Sequence, residues 1–225
     1  RPNDAGDAID LGSATDAAGN TLELSDTELD NINADLLVVG RADAGNISVV
    51  GPITPDIGTT DRLSLITNGT VTQTVGSTVT VNELAVTTAG TGVVTLTEAN
   101  NDVDVLSVNA GGAVQFRDTD DITVGTVTGA GVTGVTTSDD NAILTTGGTG
   151  SLSIEDDIDV GTGTLTLDLA GGATQGSGDT ITAANLLILG AGTAEAALTD
   201  SGNDVDVIAA DYVGAISYAD ANAFT

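Results

Sequence analysis

Residues 96–118 read LTEANNDVDVLSVNAGGAVQFRD, and residues 198–220 read LTDSGNDVDVIAADYVGAISYAD. Val103 falls on Val205, an offset of 205 − 103 = 102 residues, and the same offset pairs Gln73 with Gln175, Leu84 with Leu186 and Phe116 with Tyr218. The register holds without a gap from Gly69–Thr123 to Gly171–Thr225, with roughly two positions in five identical, so the chain is built from an internal repeat.

A shorter period runs inside the long one. Apolar-x-apolar triplets recur at Leu63/Leu65, Leu84/Val86, Val103/Val105, Ile122/Val124, Leu165/Leu167, Leu186/Ile188 and Val205/Val207, with AIL at 142–144 filling the gap and Phe224 continuing the series. The steps average about 20 residues, five to a unit, within the range of solenoid repeats. Short alternating runs such as TVTV (78–81) and VVTL (93–96) lie between NE, TAGTG and EANND. Alternation at period two marks half-buried strands, and the intervening residues are turn formers. No helical periodicity extends to ten residues. A β-sandwich or barrel also has closely spaced turns, but the coil-length period favours an all-β parallel β-helix of about 20 residues per coil. The triplets are expected to form one internal ladder. At about 4.8 Å per strand, some eleven coils would make a rod on the order of 50 Å long.

Regular coils are expected over 61–225, in units of about 61–162 and 163–225, the second incomplete. Residues 1–60 are less regular and contain all three prolines, Pro2, Pro52 and Pro55. Within them SDTELDNI (25–32) reads either as a helical turn capped by Ser25 or as an irregular coil.

The composition agrees with a narrow, regular core. Hydrophobic residues make up 40% of the 225, but aromatics only 2%, so Val, Leu, Ile and Ala must fill the interior. Thirty-three acidic residues face four basic ones, Arg1, Arg41, Arg62 and Arg117, for a formal charge of −29. That balance excludes nucleic acid, whose phosphates need cationic partners, and also anionic membrane surfaces. Charged residues are only 16% of the chain and the apolar pattern is periodic, which distinguishes it from a disordered acidic tail. Without Cys or His there is no disulfide, no thiolate zinc site and no Ser–His–Asp arrangement. No apolar run reaches the length of a membrane span. The chain begins RPNDAGD and reads as a mature or trimmed product.

The segments LELSDTELDNINADLLVVGRADAGNISVVGPIT (22–54) and 69–127, with the partial copy at 171–225, resemble the repeat regions of very large bacterial exoproteins of the filamentous-haemagglutinin type. The resemblance implies a right-handed parallel β-helix, export to the bacterial cell surface or medium, and adhesive or fibre-forming work.

The NDVD copies are the sharpest candidate site. With Val103 and Val105 inward, Asp102 and Asp104 point out, as do Asp204 and Asp206. Glu98, Asn100, Asn101, Asp200 and Asn203 nearby raise the oxygen count toward what Ca²⁺ requires; the competing reading is a solvated acidic turn. The pairs Asp120/Asp121, Asp139/Asp140 and Asp156/Asp157 are the residue types of a glycosidase. A glycosidase site is normally singular and lined by aromatics, whereas these pairs recur and Trp is absent, so no enzyme is expected. GTGTLTLDLAGG (161–172) lacks a P-loop lysine. The chain stops at ANAFT partway through a unit. Either it continues or its end coil pairs with another molecule, and Val205, Val207, Tyr218 and Phe224 are the candidate assembly residues. The expected function is an extracellular structural solenoid: a surface fibre, adhesin stalk or matrix filament joined end to end. Self, a glycan or a cell surface are its expected partners. The alternative is a carbohydrate-binding or carbohydrate-active β-helix protein.

Overall fold

The computed structural model describes residues 4–58 and 60–222. It is a parallel β-solenoid of about eight turns, each of about 22 residues, formed by 21 short strands. At about 4.8 Å per coil the stack is about 40 Å long, shorter than eleven coils would give.

Each coil has three strand faces. On face II, Val39, Leu65, Val86, Val108, Val135, Ile158 and Ile181 lie in successive parallel register. On face III the series is Ile9, Ile47, Val71, Val94, Val114, Ala142, Leu165, Leu186 and Ile208. Face I carries the Ile53–Val79 bridge and later the stack Ile122, Leu152, Ala173, Ala196 and Ile216. These inward side chains form one continuous apolar core. Parallel pairing requires a covered face on each strand, which the closed coil provides from its own other faces.

The triplets therefore do not form one ladder. Leu84 stacks on Leu106, not on Val103, and Ile143 pairs with Gln115 and Thr166 on the outside of face III. The cause is a corner inside the long strands. In Thr80–Thr88 and Asp102–Asn109 Val81 and Val103 point inward, two residues then face outward, and inward alternation resumes at Leu84 and Leu106. Val105 is thus half-buried on the outside, and its copy Val207 is exposed.

The 102-residue unit is not a whole number of coils. From Val86, four coil steps along face II reach Ile181, whereas the repeat partner of Val86 is Ile188, on face III beside Leu167. Likewise Val94 lies on face III and its partner Ala196 on face I. The second copy is rotated by one face about the rod axis, so a unit spans four turns and one face rather than five coils.

Two features depart from plain coiling. At the N-terminal end, β1 (Ala8–Leu11) lies between β2 (Thr21–Leu24) and β4 (Ile47–Val49) on face III. Following β2, the one-turn helix α1 (Asp26–Leu29) starts at a capping box. Glu28 N–H donates to Ser25 Oγ at 3.3 Å, and Ser25 N–H to Glu28 Oε2 at 2.9 Å. It packs under face I: Leu29 is buried, and Asp26 and Asp30 accept the amides of Thr54 and Asp56 at 2.6 and 3.1 Å. The second feature is a strap at residues 125–134, closed by an antiparallel Thr126–Thr133 bridge. It lengthens the step from Val108 to Val135 to 27 residues.

Leu84→Ala and Leu186→Ala are each expected to lower unfolding free energy by about 2–5 kcal/mol, measured by denaturant titration. Thr72→Ala, on the outer surface, should change it by less than about 0.5 kcal/mol.

Candidate functional site: the repeated acidic corner

The NDVD motif sits at a corner of the coil, where the backbone turns from one face to the next and its amides leave the strand ladder. Such groups, once buried, must find side-chain partners. Asn101 supplies them and is fully buried. Its Oδ1 accepts Gln73 Nε2 at 2.6 Å and Val79 N–H at 3.0 Å, while its Nδ2 reaches Gln73 Oε1 at 3.2 Å and the Arg117 carbonyl at 3.1 Å. Gln73 also donates to the Ser77 carbonyl at 2.7 Å.

The second copy reproduces the network one face further round. Asn203, also fully buried, accepts Gln175 Nε2 at 2.6 Å and Ile181 N–H at 2.8 Å, and donates to Gln175 Oε1 and the Ala219 carbonyl, both at 3.1 Å. A third level follows. Asp118 Oδ2 accepts Val103 N–H at 2.9 Å, as Asp220 Oδ2 accepts Val205 N–H at 3.2 Å. Gln, Asn and Asp from three successive coils thus tie one corner column together, twice. Composition offered no signal for this, because a buried Asn in NDVD reads like any turn Asn; the coincident offset of Gln73/Gln175 and Asn101/Asn203 was the available clue.

Asp118 is fully buried. Burial pushes its carboxyl up to about 7, against the amides of Asp120 and Val103 and with the charges of Asp120 and Asp102 adding to the rise. In the second copy Tyr218, where the first has Phe116, donates its hydroxyl to Asp220 at 2.8 Å.

The exposed carboxylates lie where expected, but without a ligand set. Asp102 and Asp104 line an open depression with Thr54, Asp61 and Asn82, and Asn82 Nδ2 donates to Asp104 at 3.2 Å. Asp204 and Asp206 border a second depression one face away, where Ala184 replaces Asn82 and Asn222 Nδ2 reaches Asp204 at 2.8 Å. Four of the five neighbours counted toward Ca²⁺ are engaged elsewhere: Asn101 and Asn203 in the core, Glu98 by Gly76 N–H at 2.9 Å, Asp200 by Gly178 N–H at 2.7 Å. Among the described residues no group of three or more His, Cys, Asp or Glu is placed to hold a metal ion.

The acidic pairs have the same structural employment. Asp121 accepts Ser151 N–H at 2.7 Å, Asp139 accepts Thr162 N–H at 3.0 Å, and Asp157 accepts Thr180 N–H at 2.6 Å, each from the next coil. Asn46 and Asn141 do likewise for Thr70 and Thr164. Near the N-terminal end Glu23 accepts Ala17 and Ala18 amides and the Ser13 and Thr15 hydroxyls at 2.6–2.9 Å, which holds its carboxyl down to about 2. Of the candidate assembly residues, Val205 is buried in the core, Val207 is exposed, and Tyr218 is half-buried; Phe224 lies outside the described residues.

No family model, no curated protein and no solved structure matches the chain.

Asn101→Ala strands the Val79 amide in the interior, while Gln73 keeps the Ser77 carbonyl and the Glu98 amide, and the expected loss is about 1–3 kcal/mol for the amide left unpaired, read from denaturant unfolding. Asn203→Ala should cost less, since its column ends in a half-buried coil. For Asp118 the folded value lies above the ordinary 3.8, so the native state holds the proton more tightly. Its stabilising contribution is complete below about pH 4 and is lost as pH rises through about 7. A carboxyl-carbon NMR titration should show Asp118 with a midpoint near 7; a midpoint below 5 would mean that the two amides outweigh burial.

Proposed function

We propose that this chain is a segment of an extracellular structural solenoid, a bacterial surface fibre, adhesin stalk or matrix filament that joins end to end. The observation that carries the reading is the use made of the repeated polar side chains. Gln73, Asn101 and Asp118, and again Gln175, Asn203 and Asp220, bind one coil to the next instead of converging on a cleft. The resemblance of 22–54 and 69–127 to filamentous-haemagglutinin-type exoproteins supports the surface location.

A further observation fits a spacer. The net charge of −29 disfavours side-by-side collapse of rods, because like charges repel along their whole length.

Cryo-electron microscopy at neutral pH is the test. The expected result is rods joined end to end with an axial repeat of about 4.8 Å. Separate rods of about 40 Å at every concentration would remove end-to-end joining from the proposal, and depolymerisation of an acidic polysaccharide by the purified chain would overturn the structural reading altogether.

A further inference from the structure

The repulsion that keeps acidic rods apart is not uniform around this one. The outer surface of face III is made by residues 46–50, 70–74, 93–97 and 113–117. These four segments contain no Asp or Glu, and Arg117 is their one charge. Down the centre of that surface runs a single outward column in parallel register: Asp10, Ser48, Thr72, Thr95 and Gln115. The side chains of Ser48, Thr72, Thr95 and Gln115 are tied into no hydrogen bond among the described residues. The other faces differ. Face II carries Glu83 and Asp159 in its ladders, and the face I strands are bordered by Asp121 and Glu155.

Two charges of opposite sign mark the ends of this column. Arg41 and Arg62 have carboxylate partners in Asp43 and Glu83. Arg117, exposed beside Gln115, has no ion pair among the described residues, although the chain holds 33 acidic side chains. At the other end Asp10 is half-buried, and burial together with the charge of Glu23 pushes its carboxyl above the ordinary range. Asp10 and Arg117 lie four coils apart, about 19 Å along the rod, so they cannot meet within one chain. Each is about 10 Å from the level of Thr72.

We propose that face III from Asp10 to Arg117 pairs with the same face of a second copy of this chain, the two rods antiparallel about a two-fold axis at Thr72. Such an axis makes the contact self-complementary. It exchanges the first level of the column with the fifth, so Asp10 of each copy faces the Gln115/Arg117 level of the other, and the long arginine side chain spans the one-position offset. Between the two ion pairs lie Ser48, Thr72 and Thr95, short enough for two sheets to approach to about 10 Å. Carboxylates on faces I and II point away from the contact and are screened over a Debye length of about 8 Å at 0.15 M salt. Five levels of about 4.8 Å and five residues of about 3.3 Å give about 400 Å² per copy. A standard interface covers about 800 Å² per partner, so the pairing is weak and reversible. It leaves the acidic faces outward and therefore stops at two rods. End-to-end joining is not required for it.

Sedimentation velocity of the whole chain over a concentration series at 0.15 M salt is the test, and a reversible monomer–dimer equilibrium is expected. Arg117→Asp and Asp10→Arg should each weaken dimerisation by about tenfold or more, because each breaks both ion pairs, and the double variant should restore it. Thr72→Glu, which sets two carboxylates against each other at the axis, should abolish it. Thr174→Glu, outward on face I, should leave it unchanged. All these side chains face outward, so far-ultraviolet circular dichroism should be the same for every variant. Absence of a dimer at any concentration, or a double variant no better than the single ones, would overturn the proposal. Association that survives Thr72→Glu would overturn it too, while leaving end-to-end joining in place.

Discussion

Every coil of this chain depends on the coils above and below it for its backbone hydrogen bonds. A lone parallel strand of three or four residues has no stability; stacked at regular intervals, such strands complete one another's ladders and close an apolar lumen. That constraint dictates the composition. Side chains in the lumen must be similar from turn to turn, which favours Val, Leu, Ile and Ala over aromatics. At corners the ladder is interrupted, and the freed amides need acceptors that reach a neighbouring coil. Asp121, Asp139, Asp157, Asn46 and Asn141 provide them. Much of the acidity that suggests a cation collector is thus accounted for by corner chemistry, in which an acceptor-only carboxylate matches an N–H donor.

The mismatch between the 102-residue unit and the coil has a mechanical consequence. Had the unit been a whole number of turns, both Gln–Asn–Asp columns would lie along one edge of the rod and leave the other two edges without them. Rotation by one face distributes the columns, and with them the exposed pairs Asp102/Asp104 and Asp204/Asp206, around the axis. Carboxylates placed a third of a turn apart repel one another less than carboxylates stacked in line. The strap has no part in the rotation: its ten residues (125–134) lengthen the unit without adding a turn.

Strands and the repeat were legible from hydropathy alternation and turn residues; SDTELDNI read equally as a helical turn capped by Ser25 and as an irregular coil, and the structure decides for the turn. The corner was not legible. Period-two counting takes Val103 and Val105 as one inward pair, and nothing in the side chains of Val105 and Leu106 says which of them faces the lumen. The structure puts Leu106 inside because two consecutive outward residues turn the chain. The same blindness hid Asn101, an amide that is polar in every hydropathy scale and yet sits in the interior with four partners. The strap was hidden for another reason: VGTVTGAGVTGV (124–135) alternates like a coil strand, and only the length of the step between Val108 and Val135 distinguishes an excursion from a coil.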